Sequence, residues 1–496
     1  MASLNDPPPL DLAATLAALP PLTASNPRAE IRKVLASGGS KIPILVVLDD
    51  DPTGTQTCHG IPVLAVWNEA ALAAEFRRTG PGSGFFILTN SRALHPAPAR
   101  DLITEICTNL LAAAASAGGV SFEVVLRGDS TLRGHFPLEC DAASAVLGRP
   151  DATVLCPFFL QGGRYTLAGV HYVASEDGAT LVPAAQTPFA RDATFGYANS
   201  DLREYVAEKS AGAVPRGRVA TLELASEIRV PDGVDRVLQR LLSLPRGGGD
   251  VIIVNAAAEE DVDVAVLALL RAAAEHGRRY LFRTGAAFVS SRLGISPIPP
   301  VTAAQLGFAR GGAGGLVIAG SYVPKTTAQL EALTRRSGDA LTTIVLDVEK
   351  LLEDKGFTSK SVSGEVRRAI EQAEREITRG QDVLVMTSRK LIVGSDAARS
   401  LDIGSMVAAA PVSFLVNLDT RPRYIIAKGG ITSSDMATKG LRFKRAEIVG
   451  QAAAGVPLWR CDEPESKWAG IPYVVFPGNV GGTDTLFDVV SGWRVS

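Results

Sequence analysis

The sequence predicts an α/β fold built as two doubly wound α/β domains with mainly parallel sheets. Short apolar runs rich in β-branched residues alternate with longer Ala/Leu-rich stretches of helical periodicity. Several of those runs end in loops dense with Asp, Arg, Ser, Thr and Gly. At 496 residues the chain is also too long for one ordinary core.

Residues 42–48 read as a buried central strand that delivers Asp49, Asp50 and Asp51 and then the turn Pro52-Thr53-Gly54. Ligands of parallel sheets sit at the carboxyl ends of the strands, which is where these acids fall. Three adjacent carboxylates repel one another, so water, a cation or a hydrogen-bonding substrate must offset the repulsion. The alternative is a solvated turn in which an Asp caps the next element. Residues 61–66 form a second apolar segment broken by Pro62, and 69–77 a helix. Residues 84–88 read as a buried strand ending in Thr89-Asn90-Ser91-Arg92, followed by a helix over about 98–115. Residues 122–126 are a strand leading into Arg127-Gly128-Asp129-Ser130-Thr131-Leu132-Arg133-Gly134-His135, with a helix over about 138–146 behind it. A strand at 154–159 leads to an excursion through His171, and 187–197 has the punctuation of a loop on the domain surface or over a cleft. The strand at 251–254, the helix at 259–274 and residues 282–293 complete the first series.

These readings divide the chain into a partly ordered leader at 1–40, a first domain at 41–300, a linker at 301–315 and a second domain at 316–496. Prolines at 297, 299 and 300 and the Gly311–Gly315 tract mark the linker. In the second domain, strands at 316–319, 423–427 and 473–476 deliver Gly320-Ser321, the loop from Lys428 through Gly429, Gly430 and Thr432, and the loop from Gly478 through Asn479 and Gly481. Glycines let backbone N–H groups approach an anion closely, so these three strand ends point to nucleotide phosphates. No stretch matches GxxxxGK[ST], and no dinucleotide fingerprint follows a strand, which weighs against P-loop and dehydrogenase readings.

Lys and Arg number 50 against 52 Asp and Glu, a net charge of −2 that gives no field for nucleic acid. No run reaches the roughly 18 apolar residues of a membrane span. The five cysteines show no metal spacing, so they are expected to be reduced and structural, in a cytoplasmic protein without membrane or nucleic-acid partners. His59, His95, His135 and His171 lack HxxxH spacing and read as polar surface or loop residues; no metal ligand set is assigned. In the first domain, Asp49–Asp51, Ser91, Arg92, Asp129, Ser130 and Arg133 suit a polyhydroxylated acid. Carboxylates accept from hydroxyls, and guanidinium groups fork onto a carboxylate or phosphate. An intrahelical ion pair is the other reading of Asp129 and Arg133.

Asp50-Asp51-Pro52-Thr53-Gly54 resembles the DDxTG motif, and Asp129-Ser-Thr-Leu-Arg-Gly134 the DSTLRG motif, of the four-carbon acid sugar kinase family. The resemblance spans nearly all of the chain beyond the leader. It implies an N-terminal domain that binds the sugar acid, a C-terminal domain that binds ATP with Mg²⁺, and an active-site cleft between them. It also implies Asp51, with Asp50 as rival, as the residue orienting or deprotonating the substrate hydroxyl, and Arg92 and Arg133 as partners of the substrate carboxylate. Ser321, Lys428, Gly429, Gly430, Thr432, Gly478, Asn479 and Gly481 resemble the family's nucleotide-binding positions. The expected partners are the small-molecule acid and ATP, with a homodimer as an allowed assembly. Ile431 and Phe476-Pro477 stand where the family commonly carries charge, which moves those roles toward Lys428 and Asp435. The same departures support an alternative, a non-catalytic nucleotide sensor.

Overall fold

The computed structural model describes residues 7–22, 26–320, 324–353, 362–388 and 397–495. They form two compact units, Met1–Ile61 with Val66–Pro297 and Pro62–Ala65 with Ile298–Ser496. The helix Pro27–Ser37 is part of the first unit. There its buried Arg28 donates through Nε to Asp263 at 2.7 Å. Residues 301–315, expected as a linker, are counted with the second unit. There Val301 donates to the Gln451 carbonyl at 2.8 Å and accepts from Trp493 Nε1 at 3.0 Å.

Strands of the first part of the chain are β1 (Leu10–Asp11), β2 (Ile44–Asp49), β3 (Ile61–Leu64), β4 (Gly84–Leu88), β5 (Phe122–Arg127) and β6 (Ala152–Cys156). They continue with β7 (Arg164–Leu167), β8 (Val170–Ala174), β9 (Thr180–Pro183), β10 (Val219–Leu222), β11 (Asp250–Val254) and β12 (Tyr280–Thr284). The first unit's sheet runs β10-β11-β6-β12-β5-β2-β4, all parallel. Every residue of β2 is buried, because both faces of a central parallel strand are covered and Ile44-Leu-Val-Val-Leu presents apolar side chains to each. From β2 the chain passes to β4 on one side and then to β5 on the other, so the strand order reverses at β2. Doubly wound sheets hold their ligands at the carboxyl ends beside such a reversal.

The excursion expected through His171 is part of residues 164–183, which with β1 build an antiparallel sheet ordered β1-β9-β8-β7. Its hairpin turns on Ala168 and Gly169, whose φ values of 49° and 82° match the two-residue turns that suit strand twist. Alanine in the left-handed region hides that turn from a sequence reading.

In the second unit, β13 (Leu316–Ala319), β14 (Leu341–Leu346), β15 (Asp382–Thr387), β16 (Ile425–Lys428) and β19 (Pro472–Phe476) are parallel in the order β14-β15-β13-β16-β19. β18 (Val456–Arg460) joins β19 antiparallel, and β17 (Arg445–Ala453) joins β18. The order reverses at β13, so the carboxyl ends of β13 and β16 occupy the switch position here. Val317, Leu384, Ile426, Val474, Tyr424 and Trp493 form the core, each fully buried aliphatic side chain contributing about 1.5–3 kcal/mol. All five cysteines are buried and unpaired. No helix among the described residues is long and apolar enough to cross a membrane.

Candidate active site

The carboxyl edge of the first unit's sheet gathers charge in two layers. Asp49, the last residue of β2, is fully buried. Burial, which outweighs the opposing pull of Arg127, raises its pKa to about 8. Asp50 is buried beside it, accepting from Arg127 Nη1 at 3.2 Å and lying 3.7 Å from Arg283 Nη2. Arg283 donates through Nη1 to Glu139 at 2.8 Å, and the Ser91 hydroxyl donates to the other Glu139 oxygen at 2.5 Å. Ser91 is itself buried, so its hydroxyl serves this lower layer.

Asp51 belongs to the upper layer, with 19% of its side chain exposed. It caps the turn Pro52–Thr57 by accepting from Thr53 N–H at 2.9 Å, and it pairs with Arg92. Burial alone would raise its pKa; Arg92, Arg127 and Thr53 outweigh that and hold the carboxyl below its ordinary value. Arg92 also lies 3.8 Å from Asp129, so one guanidinium spans the loops after β2 and β5. Arg133 donates through Nε to Asp129 at 2.6 Å. This pair lies in the loop between β5 and the helix Leu138–Leu147, so it is not the intrahelical pair the spacing also allowed. Asp129 is held well below the usual carboxylate range: burial pushes it up, but Arg133, Arg92 and Thr131 more than compensate.

The loop that carries these groups is fixed from below by three aromatic or imidazole donors. His171 Nε2 meets the Ser130 carbonyl at 2.8 Å, Tyr197 OH donates to Thr131 O at 2.9 Å, and Tyr205 OH donates to Leu132 O at 3.0 Å. A carbonyl only accepts, so His171 carries its proton on Nε2 and its Nδ1 accepts from the Thr166 hydroxyl at 3.0 Å. His171 and His135 are therefore not surface histidines: both are buried, and burial drives the His171 pKa down to about 4. Two glycines make room for the lower-layer cations. A Cβ at Gly54 would meet the Arg127 guanidinium, and one at Gly128 that of Arg283.

Arg127, Arg283 and Glu139 were not among the expected site residues, and His171 was expected only as a polar surface or loop residue. Arg127 and Arg283 had a signal, a cation that is the last or next-to-last residue of an apolar strand, much as Asp49 ends β2. Glu139 sits in a helix with nothing local to distinguish it.

In the second unit, Gly429 has φ 113° and precedes the helix Gly430–Asp435 that begins at the end of β16. Thr432 stands beside the end of β13: a Cβ at Gly320 would lie 3.1 Å from its Oγ1. Ser321 lies outside the described residues. Lys428 is fully buried, with Nζ donating to the Pro477 carbonyl and lying 4.3 Å from the Phe476 ring centre. Burial and the nearby Lys325 push its pKa down to about 7. The Gly478 carbonyl accepts from Thr326 at 3.2 Å, and those of Val480 and Gly482 from Gln329 at 3.0 and 2.8 Å. The loop is thereby fixed through its carbonyls, with Asn479 exposed on it. Asp435 pairs with Lys439 at 2.7 Å, and Ile431 is 67% exposed. Among the described residues no three His, Cys, Asp or Glu side chains cluster as a metal site. Mg²⁺ bound with a nucleotide needs only one or two carboxylates beside the phosphates, and the carboxylate these loops offer is Asp435, 20% exposed and paired with Lys439.

Fold and site define a protein of two α/β units, one with an acid- and guanidinium-lined strand edge, the other with glycine-rich loops at the corresponding edge. Residues 45–292 match the model of a sugar-binding N-terminal domain and residues 316–486 that of a nucleotide-binding C-terminal domain. The chain belongs to the four-carbon acid sugar kinase family. It is 29% identical over 287 residues to the D-erythronate kinase of Heliobacterium modesticaldum, a match spanning 56% of this chain and 57% of that relative. A Haemophilus influenzae protein of known structure shares the fold with TM-score 0.58 at 17% identity, covering 90% of this chain and 99% of its own. A Salmonella typhimurium protein does so with TM-score 0.63 at 15% identity, covering 89% and 97%.

Proposed function

We propose that the chain is an ATP-dependent kinase that phosphorylates a hydroxyl of a four-carbon sugar acid of the threonate, erythronate or 3-oxo-tetronate type. The observation that carries this reading is the Arg92 bridge between Asp51 and Asp129, which keeps a partly exposed carboxylate ionised at the sheet's switch point. The likeness to a D-erythronate kinase supports the acid as substrate.

Phosphoryl transfer asks mainly for positioning and charge neutralisation. Asp51 accepts a hydrogen bond from the attacking hydroxyl, aims its oxygen, and receives the proton as the new P–O bond forms and the bond from the γ-phosphorus to the bridging oxygen of ATP breaks, with ADP as leaving group. A carboxylate of depressed pKa is a weak base, which suits a proton that leaves late. Asp50, enclosed by Arg127 and Arg283, supports that geometry from below. Asp129, Ser130 and Arg133 meet the remaining polar groups of the acid. In the second unit the backbone amides of Gly429, Gly430, Gly478 and Gly481 and the side chains of Thr432 and Asn479 serve the nucleotide, and Lys428 braces the Gly478 loop through Pro477. Mg²⁺, bound with ATP, would neutralise phosphate charge, with Asp435 the carboxylate at hand.

A non-catalytic nucleotide sensor is the second reading, favoured by exposed Ile431 and by a Lys428 that is turned inward. ADP release from Mg-ATP by the full chain, across threonate, erythronate and their 3-oxo forms, separates the two. Acid-dependent ADP release is expected; nucleotide binding with no ADP release on any acid would favour the sensor.

A further inference from the structure

Arg164 opens β7 and is a cation without an ion-pair partner among the described residues. Its Nε is buried without a hydrogen-bond partner, and among the described residues no carboxylate lies within ion-pair distance of it. It shares an aromatic neighbour with another cation. The guanidinium carbons of Arg164 and Arg133 lie 5.5 and 5.2 Å from the centre of the same Phe189 ring. Burial lowers the Arg164 pKa, Asp129 counteracts this, and Arg133 lowers it again. Asp129 is already engaged by Arg133, Thr131 and Arg92, so it is not a partner in waiting. Arg133 has Asp129 and, at 4.0 Å from its Nη1, Asp192, so the cost falls on Arg164, whose buried Nε is unsatisfied unless an anion joins it.

The other arginines expected to meet the substrate carboxylate are differently placed. Arg92 is occupied by Asp51 and Asp129, and Arg133 spends its Nε on Asp129. Arg164 has both the donors and the need.

We propose that Arg164, with the remaining donors of Arg133, forms the subsite for the carboxylate of the sugar acid, Phe189 supplying the flat wall against which both guanidinium groups are held. The assignment rests on the sugar-acid reading above and deepens it. It moves carboxylate recognition from Arg92 to Arg164 and leaves Arg92 to order Asp51. A planar fork matched to a planar carboxylate makes Arg164 a determinant of acid over uncharged analogue.

Calorimetric titration of the full chain, without nucleotide, tests this with D-erythronate, its amide and inorganic phosphate as probes, on wild type, Arg164→Gln and Arg164→Lys. Wild type is expected to prefer the acid over the amide, and Arg164→Gln to weaken acid binding about 10- to 100-fold while leaving the amide unchanged. Arg164→Lys, which keeps the charge but not the fork, should fall between. Equal affinity of wild type and Arg164→Gln for the acid would overturn the subsite, and so would an equal loss for acid and amide, the mark of a merely structural residue. Arg164-dependent binding of phosphate in place of the acid would overturn it too, as would a wild type that binds no acid. Arg164-dependent acid binding without ADP release would keep the subsite and remove the kinase.

Discussion

Arg127 Nη1 lies 3.2 Å from Asp49 Oδ1, yet neither Asp49 oxygen receives a hydrogen bond in good geometry. The same nitrogen donates to Asp50 at 3.2 Å, so one cation serves two buried acids. Burial then makes Asp49 the acid that keeps its proton, up to about pH 8, whereas the unfolded chain releases it near 3.8. The folded state holds the extra proton between those values, so stability falls as pH rises from about 4 to about 8. Asp49→Asn removes this titration. Scanning calorimetry should find its Tm close to wild type near pH 4 and above wild type near pH 9. A Tm below wild type near pH 9 would show that an ionised Asp49–Arg127 pair stabilises the fold instead.

Asp51 and Asp50 are neighbours in sequence, but substitution should separate them. Asp51→Asn keeps the shape and the Thr53 cap acceptor while removing charge, so kcat for acid-dependent ADP release should fall about 100- to 10,000-fold with little change in Tm. Asp50→Asn leaves Arg127 and Arg283 short of a buried anion, which should cost about 3–5 kcal/mol of stability. Near-normal turnover in Asp51→Asn would remove the assigned role.

The strand ends were legible because parallel strands in a covered sheet must be apolar, which throws polar residues such as Asp49–Asp51 and Asp129 into relief. What the chain order does not encode is which charges meet. Arg92 pairs with Asp51 and stands 3.8 Å from Asp129 only because β2, β4 and β5 are adjacent in the sheet. Arg283 reaches Glu139 across 144 positions of sequence. His171 looked like a loop residue because its hairpin turns on Ala168, a residue that rarely takes positive φ. The burial of Lys428 was equally hidden, since a lysine before paired glycines reads as exposed until its Nζ is seen donating to the Pro477 carbonyl.

His171 links site geometry to acid stability. Its imidazole is neutral in the fold, with its pKa pushed from 6.5 to about 4 by burial. The unfolded chain binds a proton in that interval and the folded protein does not. Its contribution is therefore complete above about pH 6.5 and is lost as pH falls toward 4. His171→Gln should flatten this part of the pH–stability curve and, by loosening the Ser130 carbonyl, raise KM for the acid several-fold while leaving KM for ATP unchanged. Denaturant titrations at about pH 4.5 and 7 with paired kinetics read both effects; an equal rise in both KM values would argue against a loop-specific role.

Gly481 and Gly482 give the nucleotide unit a paired test. Gly481 has φ 81°, and a Cβ there would lie 2.8 Å from Thr485 Oγ1. The loop has little room to yield, since Gln329 holds the carbonyls on both sides of it, at Val480 and Gly482. Left-handed backbone costs an L-residue about 1–2 kcal/mol, so Gly481→Ala should weaken ATP binding about 10-fold by distorting the amides offered to phosphate. At Gly482 the nearest atom to an added Cβ is Thr485 Oγ1 at 3.8 Å, an ordinary contact, so Gly482→Ala should bind ATP nearly as wild type does. Erythronate binding in the first unit should be unaffected by either change. Nucleotide titration followed by calorimetry reads the difference, and equal ATP affinity in the two variants would mean that the Gly481 backbone does not shape the nucleotide site.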